Sequence, residues 1–368
     1  MSPTRRVCPI GLAVVAFAPF ALWPTDEVRA DTPEARVKLA WSARNLQVGP
    51  GMDARGKRLA GTELVAQDLA GANFDGCDLF HVTLHDCDLT GTSFRGTRFT
   101  GCRLWDCTVR GADFTDAVIN GIKDCGTYLS ERQLKSTLSY KMKDLSQCPI
   151  SAHEPIGDVC EYDFSGADLT EATLRGGYFT HSDFSDAQID GLQIRVATLG
   201  VAQLTSTRNF KRGRFTGVDI SLALRTYDFS GMRFYRVRFL GKSPESDFTD
   251  ARIPRCSFLH GSITVEQLQQ TRDYKEGRLW SVHFGRVDLS GCDFSAVNLS
   301  DCSFTDCDFT GANFDDAVIS YVRFSYDTRG LTLEQIKSTW NYKHGRMDGI
   351  ELPEEIAKAL EEEQQAEK

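Results

Sequence analysis

The groups of this 368-residue chain that could do chemistry are seven histidines, twelve cysteines and an excess of acids, 51 Asp and Glu against 42 Lys and Arg. His81, His85, His153, His181, His260, His283 and His344 lie scattered. No paired-histidine motif, glycine-flanked serine or phosphate loop accompanies them, so no local signature supports metal-assisted hydrolysis, acyl transfer or phosphoryl transfer. The cysteines have the softness to ligate zinc. The aspartates could form acid–base pairs, but Asp68, Asp78, Asp88, Asp113, Asp168, Asp288, Asp293 and Asp308 are all separated by multiples of five, which is the mark of a structural period. His85 and Trp105 are twenty residues apart, and so are Asp86 and Asp106.

What these groups can do depends on the element that carries them, and a stricter pattern sets that element. A large apolar residue stands at every fifth position without a miss: Leu59, Leu64, Leu69, Phe74, Leu79, Leu84, Leu89, Phe94, Phe99, Leu104, Val109, Phe114 and Ile119. Two residues before most centres the side chain is small, as at Ala72, Cys77, Cys87, Thr92, Cys102, Cys107, Ala112 and Ala117, and two residues after many of them stands a glycine. A period of five fits neither a helix nor a flat strand. It describes a coil corner with one large and one small inward residue, and four such units, ~20 residues, close one square turn that stacks on the next at ~4.8 Å. The register gives the chemical groups their places. Each aspartate named above immediately precedes a centre, where it faces solvent or holds the corner. Cys77, Cys87, Cys102, Cys107, Cys256, Cys292, Cys302 and Cys307 take the small inward position, where a thiol is a compact hydrophobe and is expected to be reduced and free of metal. Cys87 and Cys107 stack in adjacent coils but are poorly aimed for a disulfide.

The triplets Ala72-Asn73-Phe74, Cys77-Asp78-Leu79, Ala112-Asp113-Phe114, Ala167-Asp168-Leu169, Cys292-Asp293-Phe294, Cys307-Asp308-Phe309 and Ala312-Asn313-Phe314 resemble the consensus of the pentapeptide-repeat proteins. The resemblance implies an all-β solenoid, a right-handed quadrilateral β-helix, over most of residues 59–324, and it implies no activity. Some members of that family present a rod of carboxylates to a topoisomerase.

A second, longer repeat interrupts the first. The segment running from Leu129 through Ser130-Glu131-Arg132-Gln133 to Tyr140-Lys141 recurs from Leu199, Ile263 and Leu331. Ser130 with Gln133, Thr264 with Gln267 and Thr332 with Gln335 form capping boxes, from which Gly200 departs, so the spacing predicts four inserted helices of about three turns. The expected organisation is a signal peptide over residues 1–30, cleaved near Ala30; an N-terminal helical cap over 31–58; repeats over 59–128, 146–198 (after a loop), 215–262 and 279–328; inserted helices over 129–145, 199–214, 263–278 and 329–347; and a C-terminal helix over 348–368. Between Phe239 and Phe248 the phase slips, and Lys242-Ser243-Pro244-Glu245 is expected to make a protruding turn there.

Removing residues 1–30 takes three basic and two acidic residues from a chain of net charge −9 and leaves about −10. That balance disfavours direct nucleic-acid binding, which needs Lys and Arg at phosphates. The reading is of an exported (periplasmic, envelope or secreted) non-enzymatic scaffold with no cofactor and no transmembrane segment in the mature chain. Its partner would be a protein or a cell-envelope component. His85, Asp86, Trp105 and Asp106 form the candidate contact patch, and Cys148 with Cys160 the preferred disulfide, since it would close the one loop without repeats. Two alternatives compete: an acidic nucleic-acid mimic that binds a topoisomerase, and a carbohydrate-binding or carbohydrate-active β-helix.

Overall fold

In the computed structural model residues 36–39, 45–123, 126–151, 161–176, 179, 181–195, 199–221, 226–325 and 327–366 are described. Short parallel strands stack with a register of twenty: Leu59 pairs with Leu79 and Leu79 with Phe99 on one side of the coil, Leu64 with Leu84 and Leu84 with Leu104 on another. Four pentapeptides therefore close one turn. All thirteen centres are buried, the most exposed being Val109 at 8%. Stacking like on like follows from the register, so Phe94 lies between Phe74 and Phe114 with ring centroids 5.1 and 5.0 Å away. The solenoid starts before the first predicted centre, because Met52 and Ala54 already point inward.

Each corner is closed by a backbone bond such as Cys77 N to Phe74 O (3.0 Å), and most amides along the sides bond to a neighbouring coil. The aspartate before a centre holds the corner from outside by accepting the N–H two residues on, as Asp68, Asp88, Asp113, Asp168, Asp288, Asp293 and Asp308 all do. Asp78 lies instead in a strand and pairs with Arg58. The inward cysteines are all buried. Several give their S–H to a carbonyl 23 residues earlier, Cys77 to Ala54 O (2.9 Å) and Cys102 to Leu79 O (3.2 Å), as Thr92 does with its hydroxyl to Leu69 O (3.0 Å). The small inward position is thus also a donor position.

The inserted modules are helical, but each is two short helices: α1 (Glu131–Ser136) and α2 (Leu138–Lys141), α3 (Val201–Ser206) and α4 (Arg208–Lys211), α5 (Val265–Gln270) and α6 (Arg272–Lys275), α7 (Leu333–Lys337) and α8 (Trp340–Lys343). The expected single helix of three turns is corrected by a buried threonine in an extended conformation, Thr137, Thr207, Thr271 or Thr339, whose hydroxyl donates to the carbonyl three residues back and accepts the amide three residues on. Capping boxes form at Ser130, Thr264 and Thr332, and Gly200 has no side-chain cap.

The modules take a side of a coil and leave the stack unbroken. Leu138, Arg208, Arg272 and Trp340 give their amides to Ala117, Ala187, Ala251 and Ala317 of the coil before. Ser139, Asn209, Asp273 and Asn341 accept the amides of Ile119, Ile189, Ile253 and Ile319. Lys141, Lys211, Lys275 and Lys343 ion-pair with Asp116, Asp186, Asp250 and Asp316. One apolar core runs from Met52 to Leu360.

Three expectations need correction. The N-terminal cap, expected to be helical over 31–58, has a strand, Arg36–Lys38, antiparallel to Glu63–Val65, and residues 45–58 hold turns and the start of the first coil strand instead of a helix; residues 31–35 and 40–44 lie outside the described residues. An edge strand's unpaired amides and carbonyls are satisfied by a strand and not by a helix. The phase slip is a coil one residue short, with Phe239 and Phe258 paired 19 residues apart. There Ser243 takes the inward centre and Pro244 and Glu245 form the exposed turn. The C-terminal helix is narrower than expected, α9 (Glu354–Ala366), and buries Ile356 and Leu360 against the core. The predicted signal peptide lies outside the described residues, and no helix among the described ones is long and apolar enough to cross a membrane.

Candidate functional site

The twenty-residue spacing brings the predicted patch together. His85 ends one strand, Trp105 ends the next, and the two are paired across the ladder. Both follow a centre by one residue, so they point outward, and their rings meet edge to face with centroids 5.6 Å apart. Trp105 is 42% exposed. Asp86 and Asp106 come next, at corners with φ of 51° and 49°. Gly71, Gly91 and Gly111 hold the same left-handed corner elsewhere, because it favours a residue without Cβ or a short side chain that can bond locally. Asp86 gives its amide to Trp105 O at 2.8 Å, which locks one corner over the other.

The result is two exposed carboxylates beside an imidazole. His85 Nε2 lies 3.5 Å from Asp86 Oδ2, and one ligand atom each from His85, Asp86 and Asp106 fall within 4.8 Å of one another. That donor set suits a divalent cation, where the sequence reading expected no metal site. Arg103 lies 5.8 Å from the centre of the Trp105 ring.

An open cleft of about 580 Å³ joins this patch to residues that sequence reading did not single out, Gly126, Tyr128, Arg175 and Arg195. Gly126, at φ +88°, stands where a Cβ would push the Asp106 carboxylate aside. Arg175 and Arg195 are paired on consecutive rungs, and Arg175 lies 5.3 Å from the Tyr128 ring centre. The cleft therefore combines a carboxylate, Asp106, two guanidinium groups and an indole, a set that suits a ligand bearing both charges. Arg175 and Arg195 each follow a centre by one, as His85 and Trp105 do. The signal was in the register, and the inserted module hid which side of the coil resumed.

Residues 58–96, 77–116, 93–123, 163–200 and 282–325 match the family described as pentapeptide repeats, in eight copies. The chain belongs to the pentapeptide-repeat family. Its solenoid is the right-handed quadrilateral β-helix of that family. Among solved pentapeptide-repeat structures it is similar to HetL, involved in heterocyst differentiation regulation, from the cyanobacterium Nostoc sp. strain PCC 7120, at 15% identity over 75% of this chain and 86% of that one, TM-score 0.18. It is also similar to QnrB1, a plasmid-mediated fluoroquinolone resistance protein, at 14% identity over 80% of this chain and 96% of that one, TM-score 0.17. No curated protein matches the chain.

The other groups of this pentapeptide-repeat protein are held by its coils. Burial pushes Cys77 and Cys307 up to about 11 and Cys256, Cys292 and Cys302 up to about 12, which leaves them protonated and unreactive at neutral pH. Contact with Cys87, followed by burial, pushes Cys107 up as well. Cys148 is a buried thiol bonded to no other described cysteine; Cys160, its expected partner, lies outside the described residues. The corner aspartates are lowered by the bonds they accept, Asp88 by Thr90, Asp293 by Ser295 and Asp308 by Thr310.

Proposed function

We propose that the protein is exported and works by contact, as a rigid non-enzymatic scaffold on which a partner protein or cell-envelope component docks at the cleft around Trp105. The observation that carries this reading is an exposed indole sharing one cleft with the Asp106 carboxylate and two guanidinium groups on a solenoid with a filled interior. Such a site holds a ligand at little ordering cost, because the coils fix its side chains beforehand. Export is supported by the pattern of residues 1–30: Arg5 and Arg6, an apolar stretch, then Val28-Arg29-Ala30. The test is fractionation of cells with N-terminal sequencing, followed by capture with the wild type and with Trp105→Ala. A chain beginning at Asp31 in the extracytoplasmic fraction, and a partner held by the wild type alone, are expected. Full-length protein confined to the cytoplasm would sink the export reading.

A second reading has an observation in its favour, since a tryptophan platform beside two close carboxylates also suits a sugar. Binding is the version supported. Glycoside hydrolysis needs one carboxyl kept protonated by burial, and both Asp86 and Asp106 are exposed. Quenching of Trp105 fluorescence by an envelope oligosaccharide would favour it. The topoisomerase-binding mimic loses support from the pairing of Asp116, Asp186, Asp250 and Asp316 with module lysines, which breaks a rod of free carboxylates.

A further inference from the structure

One stretch reverses the charge of the solenoid. Residues 208–242 hold nine Lys and Arg against two acids, while the rest of the chain holds 33 and 49. The structure shows where the basic groups gather. The position before a centre, Asp or Asn in many repeats, is arginine at Arg214, Arg233 and Arg252, and these three pair in register on consecutive rungs. Like charges directly opposite each other repel. Arg252 is neutralised by Asp273 at 3.1 Å and Glu276 at 3.0 Å. Arg214 and Arg233 have no carboxylate within 4.0 Å among the described residues.

The four modules provide an internal control. Three equivalent positions around the end of the second helix are Leu138, Met142 and Asp144 in the first module and Arg272, Glu276 and Arg278 in the third. In the fourth they are Trp340, His344 and Arg346, where the two rings stack at 4.4 Å and Arg346 lies 5.8 Å from the indole centre. The second module alone has arginine at all three: Arg208, Arg212 and Arg214. They converge on one cleft of about 450 Å³, none within ion-pairing distance of a described carboxylate. Arg208 adds to the field that lowers Asp186, whose own ion pair is with Lys211. Asp190 is the one acid lining the cleft, which leaves two net positive charges there.

A second observation points the same way. Asn209 lines this cleft at 5% exposure, and its Oδ1 accepts the Ile189 amide at 2.8 Å. Its Nδ2 makes no hydrogen bond among the described residues. The equivalent Asn341 gives its Nδ2 to Ser320 Oγ and Arg346 O, both at 3.0 Å. That amide N–H is left free beside the three guanidinium groups lining the cleft, one more donor for an acceptor from outside the chain.

We propose that this cleft binds a tetrahedral oxyanion, phosphate or sulfate, free or at the end of a larger molecule. A carboxylate has two acceptor oxygens, while a tetrahedral oxyanion offers three or four, which matches three guanidinium forks and an amide N–H. The cleft shares no lining residue with the Trp105 site, although Asp190 and Arg195 lie on one coil, and it does not depend on that site.

The test is calorimetric titration of the full chain with inorganic phosphate, sulfate and glycerol 1-phosphate, with melting followed at constant ionic strength against chloride. Saturable binding and a rise in Tm are expected with the oxyanions and not with chloride. Glycerol 1-phosphate binding as tightly as inorganic phosphate would place the group at the end of a larger molecule; weaker binding would favour the free ion. Arg212→Glu copies Glu276 of the third module and supplies the missing carboxylate internally, so it should weaken phosphate at least tenfold without lowering the Tm measured in chloride. Asn209→Asp keeps the acceptor for Ile189, as Asp273 does for Ile253, and replaces the donor with an anion, so it too should lose binding. An equal response to phosphate and chloride, or undiminished binding by both variants, would overturn the proposal.

Discussion

Thr271 lies fully buried between two helices, donating to Leu268 O at 2.7 Å and accepting the Tyr274 amide at 3.3 Å. Thr271→Val leaves both partners unsatisfied at nearly constant shape, so denaturant unfolding should show a loss of ~1–3 kcal/mol. Thr264→Ala removes only an exposed-end cap and should cost ~1 kcal/mol. The cap was legible in the sequence, because Thr264 and Gln267 form a local pair. The buried threonine was not, because its role exists only where two helices meet. The thiols give a prediction against pH. Their ordinary value is 9.0, and burial raises Cys77 and Cys307 to about 11 and Cys256, Cys292 and Cys302 to about 12. The unfolded chain loses these protons first, so the stability they contribute is complete below pH 9 and is lost as pH rises toward 11 and 12. Melting temperature measured from pH 8 to 11 should fall along that arm, and replacing Cys256 and Cys302 by Ala should flatten it.

At the scale of the element, the coil was the most legible feature of the chain, because a period of five admits one large side chain per unit and leaves the register no freedom. Phe94, with Phe74 below and Phe114 above, has no neighbour that can collapse into its place, so Phe94→Ala should cost ~3–5 kcal/mol by denaturant unfolding. The N-terminal cap was misread for a physical reason. Val37 and Leu39 suit a helix by local spacing, while the exposed edge of Glu63–Val65 demands a strand, and tertiary pairing prevails over local propensity. How the modules dock was written in the sequence and passed over: an aspartate and an alanine after the inward phenylalanine, as in Phe114-Thr115-Asp116-Ala117 and Phe314-Asp315-Asp316-Ala317, precede every module and receive its lysine and its first amide.

Over the whole molecule, the question left open by the sequence was whether the helices join separate solenoids, and the hydrogen bonds that pass from coil to module to coil answer it with one continuous core. The candidate patch was legible because twenty residues is one coil. Its guanidinium side was not, because a module of irregular length intervenes before Arg175 and Arg195. A scaffold acting by contact should separate folding from binding at that cleft, since Trp105 projects from the coil and adds nothing to the core. The direct measurement is made on one variant, Trp105→Ala: its melting temperature, and its affinity for the partner captured by the exported wild-type protein. The account predicts an unchanged melt with affinity weakened by more than ~1 kcal/mol. A lowered melt with affinity intact would make Trp105 ordinary packing and contradict it.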